Sequence, residues 1–336
     1  MLQKPLDRIG YGGYLSLANK FPHFIDHVTE VSAQFGEYLE HTQRTESQKI
    51  PGKVAVLSAW GKTRSWLQNQ ASDQRFYVPP RPDVMEFVGN NLLECLSGLS
   101  FEVEFISFDD IAEKGISSDI KVIINTGDAN SAWSGGEHWD KPEVLVALRK
   151  FVAQGGGLLG VCDPSAYQKN GRYFQLGDVF GLEKETALTM GRVAMPVQVN
   201  RDHYLFKQLN GSMDFGNPSY VYPQADDIDV IAAQGQHLAL TAREYGQGRA
   251  VYLGNLPFSM DNARLLQHIL VWLGQHENGE HAWLSSHPDV DCAYFPETGK
   301  ATAVNFSNEA QSLEVLDHQG NIRLIQLKPY EWRWFS

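Results

Sequence analysis

From Lys53 to Leu273 short apolar bursts alternate with stretches of helical length, with no internal sequence repeat. A chain that alternates in this way can bury its bursts only as strands of a mostly parallel sheet covered by helices. The bursts predict strands at Lys53–Ala59, Phe101–Phe108, Lys121–Thr126 and Gly157–Cys162, and the stretches between them predict helices at Asp83–Leu96 and Pro142–Gln154. The second half is richer in strand signals, at Val193–Val199, Val230–Ala233, Leu238–Tyr245 and Arg249–Gly254, and closes on a helix at Asn262–Leu273. The prediction is a doubly wound α/β domain over 51–279, with an antiparallel extension.

Both flanks differ. Residues 1–50 place Gly10, Gly12 and Gly13 around Tyr11 and Tyr14, then an apolar series (Phe21, Phe24, Ile25, Val28, Val31, Phe35, Leu39) spaced for helices interrupted at Pro22. Such helices have no core of their own, and His41 to Lys49 reads as a polar linker closed by Pro51 and Gly52. Residues 280–336 alternate with period two around turn signals at Thr298-Gly299, Ser307-Asn308 and Gln319-Gly320, which predicts a small antiparallel β-sandwich. Its Trp332, Trp334 and Phe335 require cover.

Composition narrows the function classes. With 28 basic against 40 acidic side chains, a formal charge of −12, the chain lacks the electrostatics of a nucleic-acid binder. No uncharged apolar run reaches membrane-spanning length, so neither nucleic acid nor membrane is an expected partner. Three cysteines (Cys95, Cys162, Cys292) without CxxC spacing, and no secretory-type apolar segment near Met1, point to the cytoplasm. Eleven histidines show no HExxH and no paired ligand spacing, so no metal and no cofactor is expected. Gly61-Lys62-Thr63 lacks the spacer of a phosphate loop, and Gly155 to Gly157 reads as a helix C-cap.

Ligands of open α/β sheets gather outside the carboxyl ends of the strands, which singles out three loops. The first carries Trp60, Lys62 and Arg64, the second Asp128 and Trp133, and the third Cys162 and Asp163. Indole faces among hydrogen-bonding groups suit a polyhydroxylated ligand such as a sugar, and residues that dock a neighbouring domain have the same composition. Asp7 and Arg8 beside the glycine-rich turn at Tyr11 suit the lip of a pocket or an ion pair at a domain junction. Cys162 follows a buried strand and precedes a predicted helix, as in the nucleophile elbow of class I glutamine amidotransferases. Asp163 and Pro164 replace the small residues of that elbow, and Asn255-Leu-Pro257 stands where the base histidine belongs, which favours a buried inert thiol.

Four segments carry a family resemblance: Asp7–Leu17 (DRIGYGGYLSL), Ala59–Trp66 (AWGKTRSW), Gly155–Val161 (GGGLLGV) and Leu176–Gly181 (LGDVFG). In order and spacing the chain resembles the C-terminal part of the 1,3-β-galactosyl-N-acetylhexosamine phosphorylases, the galacto-N-biose/lacto-N-biose phosphorylase family. The resemblance implies the end of a TIM barrel over 1–50, a central glutamine-amidotransferase-like domain without that activity over 51–279, and a β-sandwich over 280–336. It further implies inverting phosphorolysis to galactose 1-phosphate, in which one carboxylic acid protonates the leaving oxygen while phosphate attacks the opposite face. The acid belongs to the barrel. No catalytic residue is therefore assigned here, and the chain alone is expected to be inactive, its partner being the barrel portion with the disaccharide and phosphate bound there. Asp7, Arg8, Tyr11, Trp60, Lys62, Arg64, Asp128 and Trp133 are the candidate substrate-binding or barrel-docking residues. The competing readings are a noncatalytic oligomerisation or assembly module and an amidotransferase-like hydrolase using Cys162; a homo-oligomer is compatible with all three.

Overall fold

The computed structural model describes residues 2, 5–10, 20–59, 87–129, 133–186, 197–207, 209, 211–216, 220–277, 282–285 and 287–336. The chain divides into two compact units, Pro51–Glu277 and Met1–Ile50 together with Asn278–Ser336. The segment before Pro51 thus folds with the C-terminal residues. Its helix α1, Pro22–Thr42, starts at Pro22, because a proline in the first turn forfeits no helical hydrogen bond. Pro22 opens a helix where an interruption was expected.

The larger unit is built on β1 (Lys53–Ser58), β2 (Glu102–Ser107), β3 (Ile120–Gly127) and β4 (Gly157–Cys162). It continues through β5 (Ala166–Lys169), β6 (Arg172–Phe174), β7 (Leu182–Lys184), β8 (Val197–Val199) and β9 (Val221–Pro223) to β10 (Asp229–Gln234), β11 (His237–Tyr245) and β12 (Gly248–Leu253). Its helices are α2 (Phe87–Leu96), α3 (Phe108–Lys114), α4 (Pro142–Ala153), α5 (Gly177–Phe180) and α6 (Met260–Leu273). The main sheet runs β2-β1-β3-β4-β12-β11-β10-β8, parallel as far as β12 and antiparallel beyond. β1, β3, β4 and β12 are buried almost throughout, as strands covered on both faces must be.

Successive strand residues face opposite sides. Ala55, Leu57, Ile123, Leu158 and Tyr252 form one core with Phe108, Ile111, Val144 and Leu148 of α3 and α4. The other face takes α2 and α6, which pack on each other; a Cβ on Gly157 would strike Leu273 of α6 at 2.7 Å. Helix α3, which the apolar pattern does not reveal, is nucleated by a capping box: Ser107 Oγ accepts from the Asp110 amide and Asp110 reaches back to Ser107.

The smaller unit has two three-stranded antiparallel sheets. One joins β13 (Leu284–Ser285), β16 (Gln311–Leu316) and β17 (Ile322–Leu327); the other joins β14 (Val290–Phe295), β15 (Lys300–Asn305) and β18 (Trp332–Phe335). Cys292, Ala301 and Ala303 pack against Leu313, Val315, Ile325 and Trp283 between the sheets. The opposite face of β14-β15-β18 offers Phe295, Val304, Trp332 and Trp334 to Phe35 and Tyr38 of α1. Tyr38 is fully buried, its ring 6.0 Å from Trp332 and 6.5 Å from Trp334. The tryptophans find their cover there, and α1 finds its core. The segment after α1 is not a free linker either: Ser47 and Ile50 are buried and the Gln48 amide donates to the Tyr294 carbonyl.

Candidate functional site

The parallel strands follow the order β2-β1-β3-β4-β12, which places the topological switch point between β1 and β3. The residues at the carboxyl ends of these strands, and of β4 beside them, form the candidate site. Trp60, Lys62 and Arg64, which follow β1, lie outside the described residues, as does Tyr11. Asp7 and Arg8 belong to the smaller unit, where Asp7 Oδ1 stands 3.8 Å from Arg44 Nε, with both side chains exposed.

Asp128 and Trp133 flank the loop after β3. Asn125, buried inside that strand, anchors the residues on the far side of the loop: its Nδ2 donates to the carbonyls of Trp133 and Ser134, and its Oδ1 accepts from the Ser165 amide after β4. One side chain therefore ties two strand-end loops together. The signal for it was an amide interrupting the apolar run of β3. Trp133, half-buried, lines a cleft of about 520 Å³ with Ser58, Asn90, Phe105, Ser107 and Asp110. Asp110 is held near 2 by Lys114 and then by Ser107, so it is anionic and engaged in its cap. A cleft of about 570 Å³ at the opposite edge, between Ser117, Lys121, Lys150 and Gly155, receives the C-terminal ends of α3 and α4. The carbonyl dipoles there oppose an anion, while Lys121 and Lys150 on its wall favour one.

Cys162 ends β4 with φ +65°, the strained left-handed turn that exposes a nucleophile in an elbow. Four features withhold that chemistry. The chain continues into the β5–β6 hairpin, where a helix was expected, so no helix dipole favours a thiolate. The thiol donates to Asn255 Oδ1 at 3.6 Å, and an amide cannot take its proton. The Asp163 amide, the donor an oxyanion would need, is already given to the Gly127 carbonyl at 3.1 Å. Burial, then Asp128 and Asp163, push the thiol pKa well up.

Asp163 instead organises a polar cluster. Its carboxylate pairs with Lys184 and accepts from Tyr173 Oη at 3.4 Å and from the Ala129 amide at 3.3 Å. Asp128 keeps an open face, yet its carboxyl is raised above the ordinary range, first by neighbouring protein and then by Asp163, with Lys184 opposing. Among the described residues no group of three or more His, Cys, Asp or Glu is placed to hold a metal, and no helix is long and apolar enough to cross a membrane.

A doubly wound sheet whose elbow, among the described residues, lacks base, oxyanion donor and thiolate, together with a small β-sandwich, defines a multidomain protein of α/β and all-β parts. Comparison with known families names it. The lacto-N-biose phosphorylase central domain matches residues 53–278, the N-terminal TIM barrel domain of the same family matches 1–50, and its C-terminal domain matches 283–335. The chain belongs to the lacto-N-biose phosphorylase family, phosphorylases of carbohydrate metabolism.

It is 35% identical to the 1,3-beta-galactosyl-N-acetylhexosamine phosphorylase Cphy0577 of Lachnoclostridium phytofermentans, over 100% of this chain and 46% of the relative. It is 34% identical to the 1,3-beta-galactosyl-N-acetylhexosamine phosphorylase of Bifidobacterium longum, over 94% of this chain and 45% of that one. The chain spans about half the length of the curated relatives it matches. In fold it is similar to a catalytic mutant of Gan42B, a GH42 beta-galactosidase from G. stearothermophilus, with TM-score 0.50 and 18% identity over 91% of this chain and 43% of that one.

Proposed function

We propose that the chain forms the central and C-terminal portions of an inverting phosphorylase that converts galactosyl-β-1,3-N-acetylhexosamine and phosphate to galactose 1-phosphate and N-acetylhexosamine. The observation that carries this reading is the three-domain family match, in which only residues 1–50 correspond to the barrel. In the reaction a phosphate oxygen bonds to the anomeric carbon as its bond to the bridging oxygen breaks, and a carboxylic acid protonates that oxygen. Phosphate stands in for the activated water of an inverting hydrolase, so one carboxyl group suffices. That acid is assigned to the barrel, and this chain supplies none.

The central domain is read as amidotransferase-like in descent and inert in chemistry, which the amide at Asn255 and the occupied Asp163 N–H support. Asp7, Arg8, Tyr11, Trp60, Lys62, Arg64, Asp128 and Trp133 are assigned to the surface that meets the barrel or its ligands, and the compartment is the cytoplasm. The test is phosphorolysis of lacto-N-biose and galacto-N-biose. The purified chain should release no galactose 1-phosphate, and should do so once combined with the barrel portion of the Bifidobacterium longum relative. Turnover by the chain alone would overturn the assignment of the acid. A stable complex without turnover would favour an assembly module.

A further inference from the structure

We infer that the cleft of about 520 Å³ at the carboxyl ends of β1 and β2 is a binding site for a neutral sugar that carries an N-acetyl group. Strand register builds its floor. Ser58 ends β1 directly beside Ser107 of β2, and Phe105 stands two residues back from Ser107, on the same face of that strand. Asn90 and Leu93, three residues apart and so on one side of α2, form a second wall. Trp133 forms a third, its carbonyl bonded to Asn125 of β3. Several elements of the larger unit thus converge beside the β1/β3 switch point, where an open α/β sheet takes its ligands.

The chemistry of the walls selects the ligand. Phe105, 56% exposed on an edge strand, and the half-buried Trp133 offer aromatic faces that suit the C–H face of a pyranose ring. Ser58, Asn90 and Asp110 bring a hydroxyl, an amide and a carboxylate, the donors and acceptors that ring hydroxyls need. Among the described residues that line the cleft Asp110 alone is charged, and Lys114 and then Ser107 hold it anionic, so a phosphate or carboxylate ligand finds no countercharge there. Leu93 and the partly buried Ile106 add an aliphatic lining that an acetyl methyl can cover. A purely apolar ligand would strand the polar groups without hydrogen bonds, and a plain hexose would leave the aliphatic lining bare. The volume lies in the range of cavities that enclose small molecules.

The test uses the 336-residue chain by itself, with N-acetylglucosamine, N-acetylgalactosamine and galactose as probes in saturation-transfer NMR and calorimetric titration. The N-acetylhexosamines should bind with Kd of about 1 mM, the order expected of one sugar ring in an open cleft, with the acetyl methyl among the most strongly saturated protons. Galactose should bind about fivefold more weakly or worse, since it cannot cover the aliphatic lining. Phe105→Ala should weaken binding about tenfold and Phe105→Trp should retain it, while Asn90→Ala, on the second wall, should weaken it about fivefold. Both side chains are exposed, so an unchanged melting temperature verifies folding. The site is overturned if neither N-acetylhexosamine binds the parent, if either alanine variant binds like the parent, or if galactose or phenol binds as tightly as the N-acetylhexosamines. Because the cleft belongs to the larger unit, the result does not depend on whether a barrel accompanies the chain or phosphorolysis follows.

Discussion

At the scale of single residues, Cys162 occupies an elbow-like turn without the groups a nucleophile needs. The strand and turn are present, while the proton acceptor, the oxyanion amide and the thiolate are all withheld. Cys95 is pushed up to about 12 by burial, and Cys292 is buried. Folded protein at pH 8 should therefore resist iodoacetamide until denatured; rapid labelling of Cys162, read by peptide mass spectrometry, would contradict this. Cys162→Ser should change the activity of a reconstituted enzyme by no more than a few-fold, with no glutaminase activity in either form. Asn255 was legible in the sequence as a missing imidazole. The engaged Asp163 amide was not, because a backbone donor leaves no trace in residue identity.

His268, buried in α6, gives a pH prediction: burial first, then Arg264 and Lys207, lower its pKa from 6.5 to about 4, against the bond to the Leu205 carbonyl. A histidine depressed in the fold takes its proton first in the unfolded chain. It thus adds stability above about pH 6.5 that is lost as the pH falls toward 4, about 3 kcal/mol in all. Urea melts of His268→Gln and the parent should converge over that window; parallel curves would refute the assignment.

At the scale of elements, period and punctuation located most of the main sheet. The predicted strands at Lys121–Thr126, Gly157–Cys162 and Leu238–Tyr245 differ from β3, β4 and β11 by no more than a residue at either end. What escaped were elements specified by contacts: α3, set by its capping box, and the hairpin after Cys162, whose Ser165 amide answers to Asn125 forty residues away. Helix α1 was visible as an apolar series, but its partner sheet lies some 250 residues later and no local pattern encodes that pairing. Tyr38 is the pivot of the pairing. Tyr38→Ala should cost the smaller unit about 3–5 kcal/mol, while Tyr38→Phe, which keeps the ring and loses the bonds near Thr42 and Leu6, should cost about 1. Chemical denaturation followed by tryptophan fluorescence, with Trp332 and Trp334 as reporters, distinguishes the two; equal losses would show that the ring is not what holds α1.

At the scale of the whole molecule, the surface proposed to meet the barrel or its ligands is the carboxyl edge of the larger sheet. Two independent features support it. The switch point between β1 and β3 is where such sheets bind, and Asn125 ties the Trp133 and Ser134 carbonyls to β3. Of the eight residues assigned from sequence, Asp128 and Trp133 share this loop, and Asp7 is engaged with Arg44 in the smaller unit. The two loop residues therefore carry the sharper prediction. In a reconstituted phosphorylase, Trp133→Ala should raise the substrate KM or weaken association with the barrel about tenfold and leave kcat nearly unchanged, because an aromatic contact is lost while the acid is untouched. Asp128→Asn should act on the same quantity and less strongly, since it keeps the side chain's size and removes only its charge. Titration of the barrel against each variant, paired with steady-state kinetics, separates binding from chemistry: a kcat loss with KM and association intact would place chemistry on this chain, and no change in any of the three would reduce the loop to solvated surface.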